Sequence, residues 1–182
     1  DVKSNNGSVI VSKVDVGGNA DVIAENIELG QLIAGGEARI NSSGKLTAKT
    51  VQSQKQLSLV SLGDMLVEEA SSVLEDVVAL SSGSMAFNSV TAANDVTLNA
   101  ADTLTADKIE SAGGAIDLIA QGDMQVNELV AVIESLTATS SGAVTIQSVA
   151  ANTSATIVAG DDLNIDRVSA ESIDLESQRG NV

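Results

Sequence analysis

The reactive side chains of this chain are almost all carboxylates. Among 182 residues there are 25 Asp and Glu against 9 Lys and Arg, a net charge of −16, with His, Cys, Tyr, Trp and Pro absent. Carboxylates held in register could coordinate a divalent cation or work as an acid and base pair. Asp102, Asp123, Asp161 and Asp162 each stand just ahead of an alternating aliphatic run, where the carboxylates of a calcium-binding solenoid would lie. Such a site needs GGxGxD in tandem; that string never occurs, and Ser84 and Ala143 interrupt the set. These acids are therefore expected to be turn residues, with no metal or other cofactor. Paired carboxylates that process sugars work in a cleft, commonly beside an aromatic platform. The only aromatic residue is Phe87, and no long loop breaks the repeats to build a cleft, so no catalytic residue and no enzyme are expected. Threonines aligned on a flat wall could order ice, but Thr97, Thr137 and Thr156 share their column with Asp21, Arg39, Asp117 and Asp174.

What must position these residues is a repeat. Val9, Ile27, Leu46, Met65, Met85, Leu104, Met124, Val144, Leu163 and Val182 recur at spacings of 18 to 20 residues, the mark of a quasi-one-dimensional architecture. Two residues beyond each of the first nine stands another apolar group (Val11, Leu29, Ala48, Val67, Phe87, Ala106, Val126, Ile146, Ile165). Apolar, mostly polar, apolar is the alternation of a half-buried strand. A second row runs Ala20, Ala38, Leu57, Val77, Val96, Ile116, Leu136, Ala155, Ile173, and a third runs Val14, Leu32, Val51, Ala70, Val90, Ile109, Leu129, Val149, Val168. Small residues follow them: Ala24, Ser42, Ser61, Ser81 and their equivalents after the second row, Ser53, Ser72, Ala92 and Ser111 after the third. A narrow coil needs small side chains where it bends. Gly stands two residues before the first row in most turns (Gly7, Gly44, Gly63, Gly83, Gly122, Gly142, Gly180), which predicts bends that use φ > 0.

The expected fold is all-β: a right-handed parallel β-helix with three short strands per rung of ~19 residues and about nine rungs, spanning 1–182 as one domain. Strands ~4.8 Å apart make a rod roughly 45 Å long. Residues 65–80 also fit a helical face through Leu66, Ala70, Val73, Val77 and Leu80, but the rows run through this segment without a gap and favour a rung. As a rung it turns Leu66, Leu74 and Val78 outward as an apolar cluster, a candidate contact surface.

A further column, three residues into the second-row strand, holds large aliphatics at Ile23, Val60, Leu80, Ile119 and Val158. Either the strand bends there and turns two successive side chains inward, or the five form an exposed stripe for lateral packing or receptor contact. Accessibility decides between them.

The acidic balance argues against nucleic acid and anionic membrane surfaces as partners. No run approaches ~18 apolar residues, so no membrane insertion is expected, and the first residues lack the hydrophobic region of a signal peptide. Residues 1–55 hold six acids and six bases, the remainder 19 acids and three bases, a polarity that would suit end-to-end stacking.

The phrases GGNADVIAENIEL, NDVTLNAADTLTADKIES, GGAIDLIAQGDMQV, SGAVTIQS and AGDDLNIDRVSAESIDL resemble the haemagglutinin repeats of filamentous haemagglutinin-like exoproteins, adhesins and contact-dependent inhibition proteins of Gram-negative bacteria. The resemblance covers residues 7 to 182. It implies a right-handed β-helical shaft, secreted through a partner outer-membrane pore to the cell surface, which holds a tip domain away from the cell. The family's Asn-Pro secretion motif is missing, as is a toxin-like terminal domain, and no receptor-binding residue carries over. The implied function is a non-catalytic shaft segment of a secreted adhesin; the alternative is a β-solenoid fibre subunit that stacks end to end. Its partners would be neighbouring repeats or identical subunits, and a host or bacterial surface receptor. The last residues, Gln178 to Val182, begin a new turn, as a fragment of a longer array would.

Overall fold

A computed structural model describes residues 1–4 and 7–182, and the described residues form nineteen strands without a helix. Every turn contributes two strands. The longer one is β2 (Ser8–Val16), β4 (Asn26–Ala34), β6 (Leu46–Ser53), β8 (Met65–Ser72), β10 (Met85–Ala92), β12 (Leu104–Ser111), β14 (Met124–Ala131), β16 (Val144–Ala151) and β18 (Leu163–Ser169). The shorter one is β1 (Val2–Lys3), β3 (Ala20–Ala24), β5 (Ala38–Ser42), β7 (Leu57–Ser61), β9 (Val77–Ser81), β11 (Val96–Ala100), β13 (Ile116–Ala120), β15 (Leu136–Ser140), β17 (Ser154–Ala159) and β19 (Ser172–Ser177). Long strands pair only with long strands and short with short, all in parallel, giving a nine-stranded and a ten-stranded sheet wound as a β-solenoid.

The repeat is the register itself. Met65 faces Met85, which faces Leu104, then Met124 and Val144; Leu57, Val77, Val96, Ile116 and Leu136 do the same in the other sheet. The alternation buries these rows: Leu46, Leu57, Val77, Val90, Leu104 and Leu118 have no exposed surface. Each fully buried aliphatic side chain adds roughly 1.5–3 kcal/mol to the hydrophobic term, and stacking the same row turn after turn makes one continuous core.

Two expectations are corrected. The first concerns the strand count: the first and third rows lie on one long strand, not two. In β10, Phe87 and Val90 are buried, whereas Asn88 and Ser89 between them turn outward. That doublet shifts the inward phase by one residue and bends the strand, so its two arms form two faces of the coil. Pairing skips Asn88 at the bend, passing from Phe87–Ala106 to Ser89–Lys108. The helical alternative for residues 65–80 is absent too: β8 and β9 occupy the segment with the same inward pattern as their neighbours.

The second correction concerns glycine. Among the described residues none has a positive φ, glycines included. Most of the glycines, though not Gly17 or Gly18, are needed for close approach between turns. A Cβ on Gly44 would come within 2.5 Å of Asn26 Oδ1, and one on Gly83 within 2.5 Å of Asp64 Oδ1.

Burial weakens in the outermost turns. Val11, Val14 and Val16 in β2, and Ile165, Val168 and Leu175 in β18 and β19, are only partly covered, and Ile173 is 49% exposed.

Candidate functional site

The polar side chains nearest the core are spent on the coil. At the bends, Ser42, Ser53, Ser61, Ser72, Ser81, Ser111 and Ser140 are buried. Ser81 Oγ donates to the Gly63 carbonyl of the preceding turn at 2.8 Å and accepts from the Gly83 N–H at 3.1 Å. Ser72 donates to Lys55 O at 2.6 Å and accepts from Glu75 N–H at 3.2 Å. Ser72 and Ser81 thus tie two turns together and satisfy backbone groups that a bend leaves without ladder partners, whereas Ser53 donates to Lys55 O within its own turn.

Asp and Asn ahead of the strands form a second tie. The Oδ1 atoms of Asn26, Asp64, Asp123 and Asp162 accept the backbone N–H of Lys45, Ser84, Ala143 and Asn181, one turn on, at 2.9–3.1 Å. At the other corner, Asn19 and Asp95 accept from Glu37 and Ala115. Beside each such N–H stands the glycine that leaves room for the oxygen: Gly44, Gly83, Gly142, Gly180, Gly36 and Gly114. Asx in one turn and glycine in the next are one unit.

The four acids singled out by sequence are distributed accordingly. Asp123 and Asp162 accept backbone amides, Asp102 accepts the Ser84 hydroxyl at 2.9 Å, and Asp161 pairs with Arg179 at 3.2 Å. Among the described residues, no three acidic side chains gather as a metal site, and no helix is long and apolar enough to cross a membrane. Depressions on the surface are shallow troughs between outward columns. One lies over Phe87 and Ala106, walled by Thr105, Gln125, Asn88 and Asp107, with Asn127 Nδ2 donating to Asp107 at 2.9 Å. Lys108 lies beside Glu110, 2.8 Å away; the hydrogen bond to that carboxylate outweighs the opposing effect of burial and, with the charges of Glu110 and Glu128, raises its pKa.

The five aliphatic residues of the candidate stripe all lie on the outer face of the ten-stranded sheet. Ile23 is 37% and Leu80 41% exposed; Val60, Ile119 and Val158 are half-buried. The inward-bend reading is overturned, because the short strands alternate strictly: Leu118 and Ala120 are buried on either side of Ile119. The column is one register line, Ile23, Asn41, Val60, Leu80, Asn99, Ile119, Thr139, Val158.

Leu66, Leu74 and Val78 do not come together. Leu66 points outward from the nine-stranded sheet, Val78 from the ten-stranded sheet, and Leu74 sits at the bend joining β8 to β9. Leu74, 60% exposed, instead shares its corner with Val73, and Val132 and Ile133 repeat that pair at the bend after β14.

Comparison with family models, with curated proteins and with solved structures returned no match. The fold is read from the chain's own geometry.

Sequence reasoning missed the serine ties and the Asx and glycine unit. The signal for the latter was present: Asn26 precedes Gly44, Asp64 precedes Gly83, Asp123 precedes Gly142 and Asp162 precedes Gly180, each by 18 or 19 residues.

Proposed function

We propose that this chain is a length-giving segment of a rigid, non-catalytic shaft, of the kind found in secreted, cell-surface filamentous haemagglutinin-like adhesins of Gram-negative bacteria. The observation that carries the reading is the unbroken register of both sheets through every turn. A protein whose task is a pocket interrupts its repeats to build one. Here the variation between turns is absorbed by substitutions that preserve coil geometry, Ser for Ala at the bends and Asp for Asn at the ties. With ~4.8 Å gained per turn of ~19 residues, such a chain converts sequence length into reach at about 0.25 Å per residue. The coil is taken as right-handed, as parallel crossover connections nearly always are.

The test is electron microscopy of the natural gene product together with its flanking sequence. The shaft reading expects further turns of the same period and a fibre whose length grows by ~4.8 Å per turn. A compact natural product would overturn it. A second reading, a subunit that stacks end to end, is favoured by the partly covered apolar residues of β2 and of β18 and β19; natural termini close to Asp1 and Val182 would select it over the shaft.

A further inference from the structure

The outward columns of the ten-stranded sheet are depleted of charge in a chain with 34 charged residues. From β7 to β17 the outward positions are filled by Thr, Val, Leu, Ile, Ser and Asn, and Asp117 is the one charged side chain among them. Charge reappears on both flanks: Arg39 in β5, and Asp174 with Glu176 in β19. A solvated face of an acidic rod has no need to exclude charge, whereas the centre of a protein interface characteristically does so.

We propose that this face packs against the same face of a second copy, with the two rods antiparallel about a two-fold axis that runs along the strand direction between β11 and β13. This goes beyond the shaft reading and does not depend on it. The axis sets β11 over β13 of the second copy, β9 over its β15, β7 over its β17 and β5 over its β19. Val60 then meets Val158 of the other rod, Asp117 meets the hydroxyl of Thr97, and Arg39 meets Asp174. Each contact occurs twice, as an isologous interface requires.

Charge complementarity selects this arrangement. A parallel pairing with equal turns opposed needs a two-fold axis along the rod, which reverses the strands and sets Asp174 on Glu176 of the second copy, a like-charge contact made twice, while Arg39 meets only Asn41. A two-fold axis on β13 itself would oppose the two Asp117 side chains. Area agrees as well: eight strands ~4.8 Å apart, each of five residues at ~3.3 Å, cover about 600 Å² per copy. That is about 1,200 Å² in all, at the lower bound of specific interfaces, so a reversible dimer is expected. Acidity elsewhere on the rods opposes it and is screened within about 8 Å at physiological salt.

Because the chain has no cysteine, Val60→Cys and Val158→Cys each introduce a single thiol on an outward position. Oxidation of the two variants mixed together is expected to yield a disulfide-linked dimer, and oxidation of either alone is not, since like positions then lie about 24 Å apart, five turns of ~4.8 Å. Sedimentation of the unaltered chain should show a monomer–dimer equilibrium at physiological salt. Arg39→Glu should weaken it at least tenfold, and adding Asp174→Arg should restore it, with circular dichroism unchanged throughout. A chain that stays monomeric near its solubility limit overturns the proposal. So does cross-linking of Val60→Cys with itself, or an Arg39→Glu variant that associates normally.

Discussion

The same turns present two different outer faces. From β8 to β16 the long strands carry Glu68, Glu69, Asp107, Lys108, Glu110 and Glu128, whereas the short strands from β7 to β17 carry Asp117 alone as an outward charge. Inside, the two sheets are alike: both bury aliphatic rows in register, and Leu57, Val77, Val90 and Ile109 are equally inaccessible. The fold therefore places no demand that explains the difference. A face bearing charges suits water, and the charge-poor face of Thr and aliphatic residues beside it is the one on which the proposed second rod would pack.

The sharpest way to break this comparison is along a single strand. In β13, Leu118 is fully buried and Ile119 points outward. Leu118→Asp puts a carboxylate into a sealed apolar core and is expected to cost more than ~4 kcal/mol, so that thermal melts show no native transition. Ile119→Asp should change stability by less than ~1 kcal/mol while abolishing dimerisation in sedimentation.

Next in size is the contrast between glycines. Gly142→Val drives a side chain against Asp123 Oδ1 and the Gly122 backbone, with an expected loss of about 3 kcal/mol in denaturant titration. Gly17→Ala, which meets nothing within 4 Å, should lie within about 0.5 kcal/mol of the unaltered chain. Asp123→Ala removes only the acceptor for the Ala143 N–H and should cost about 1 kcal/mol by the same titration.

The smallest effect belongs to the charged face. Lys108→Met breaks an exposed pair with Glu110 and should change stability by less than ~1 kcal/mol. The sign of its pH dependence follows from the raised pKa of Lys108. The pair contributes below the ordinary lysine value and is lost as pH rises through the raised one. The unaltered chain and the variant should converge in melting temperature above that range.

The interior was legible because burial acts on every turn in the same way. All three aliphatic rows were assigned to the residues that face one another in the sheets. The strand count was not legible, because an outward doublet such as Asn88 and Ser89 looks like a break between strands although the backbone bends through it. The role of glycine was misread for a related reason: the need for space at Gly83 comes from Asp64 in another turn. The buried serines looked merely small, since alanine fills the equivalent place at Ala100 and Ala120, and their hydrogen bonds leave no trace in residue size. Leu66, Leu74 and Val78 were grouped by sequence proximity, yet successive walls of a coil send neighbouring side chains in different directions.

The central claim is a continuous coil that gains one strand spacing per turn, and spin-label distances measure this directly. Nitroxide pairs at Asn41 and Thr139, Ile23 and Thr139, and Ile23 and Val158 lie on one outward column, five, six and seven turns apart. With labelled chains diluted in unlabelled protein, the account predicts narrow distributions near 24, 29 and 34 Å, rising by ~4.8 Å per turn. Distances that fail to rise with turn number, or broad distributions for pairs that span residues 65–80, would contradict it.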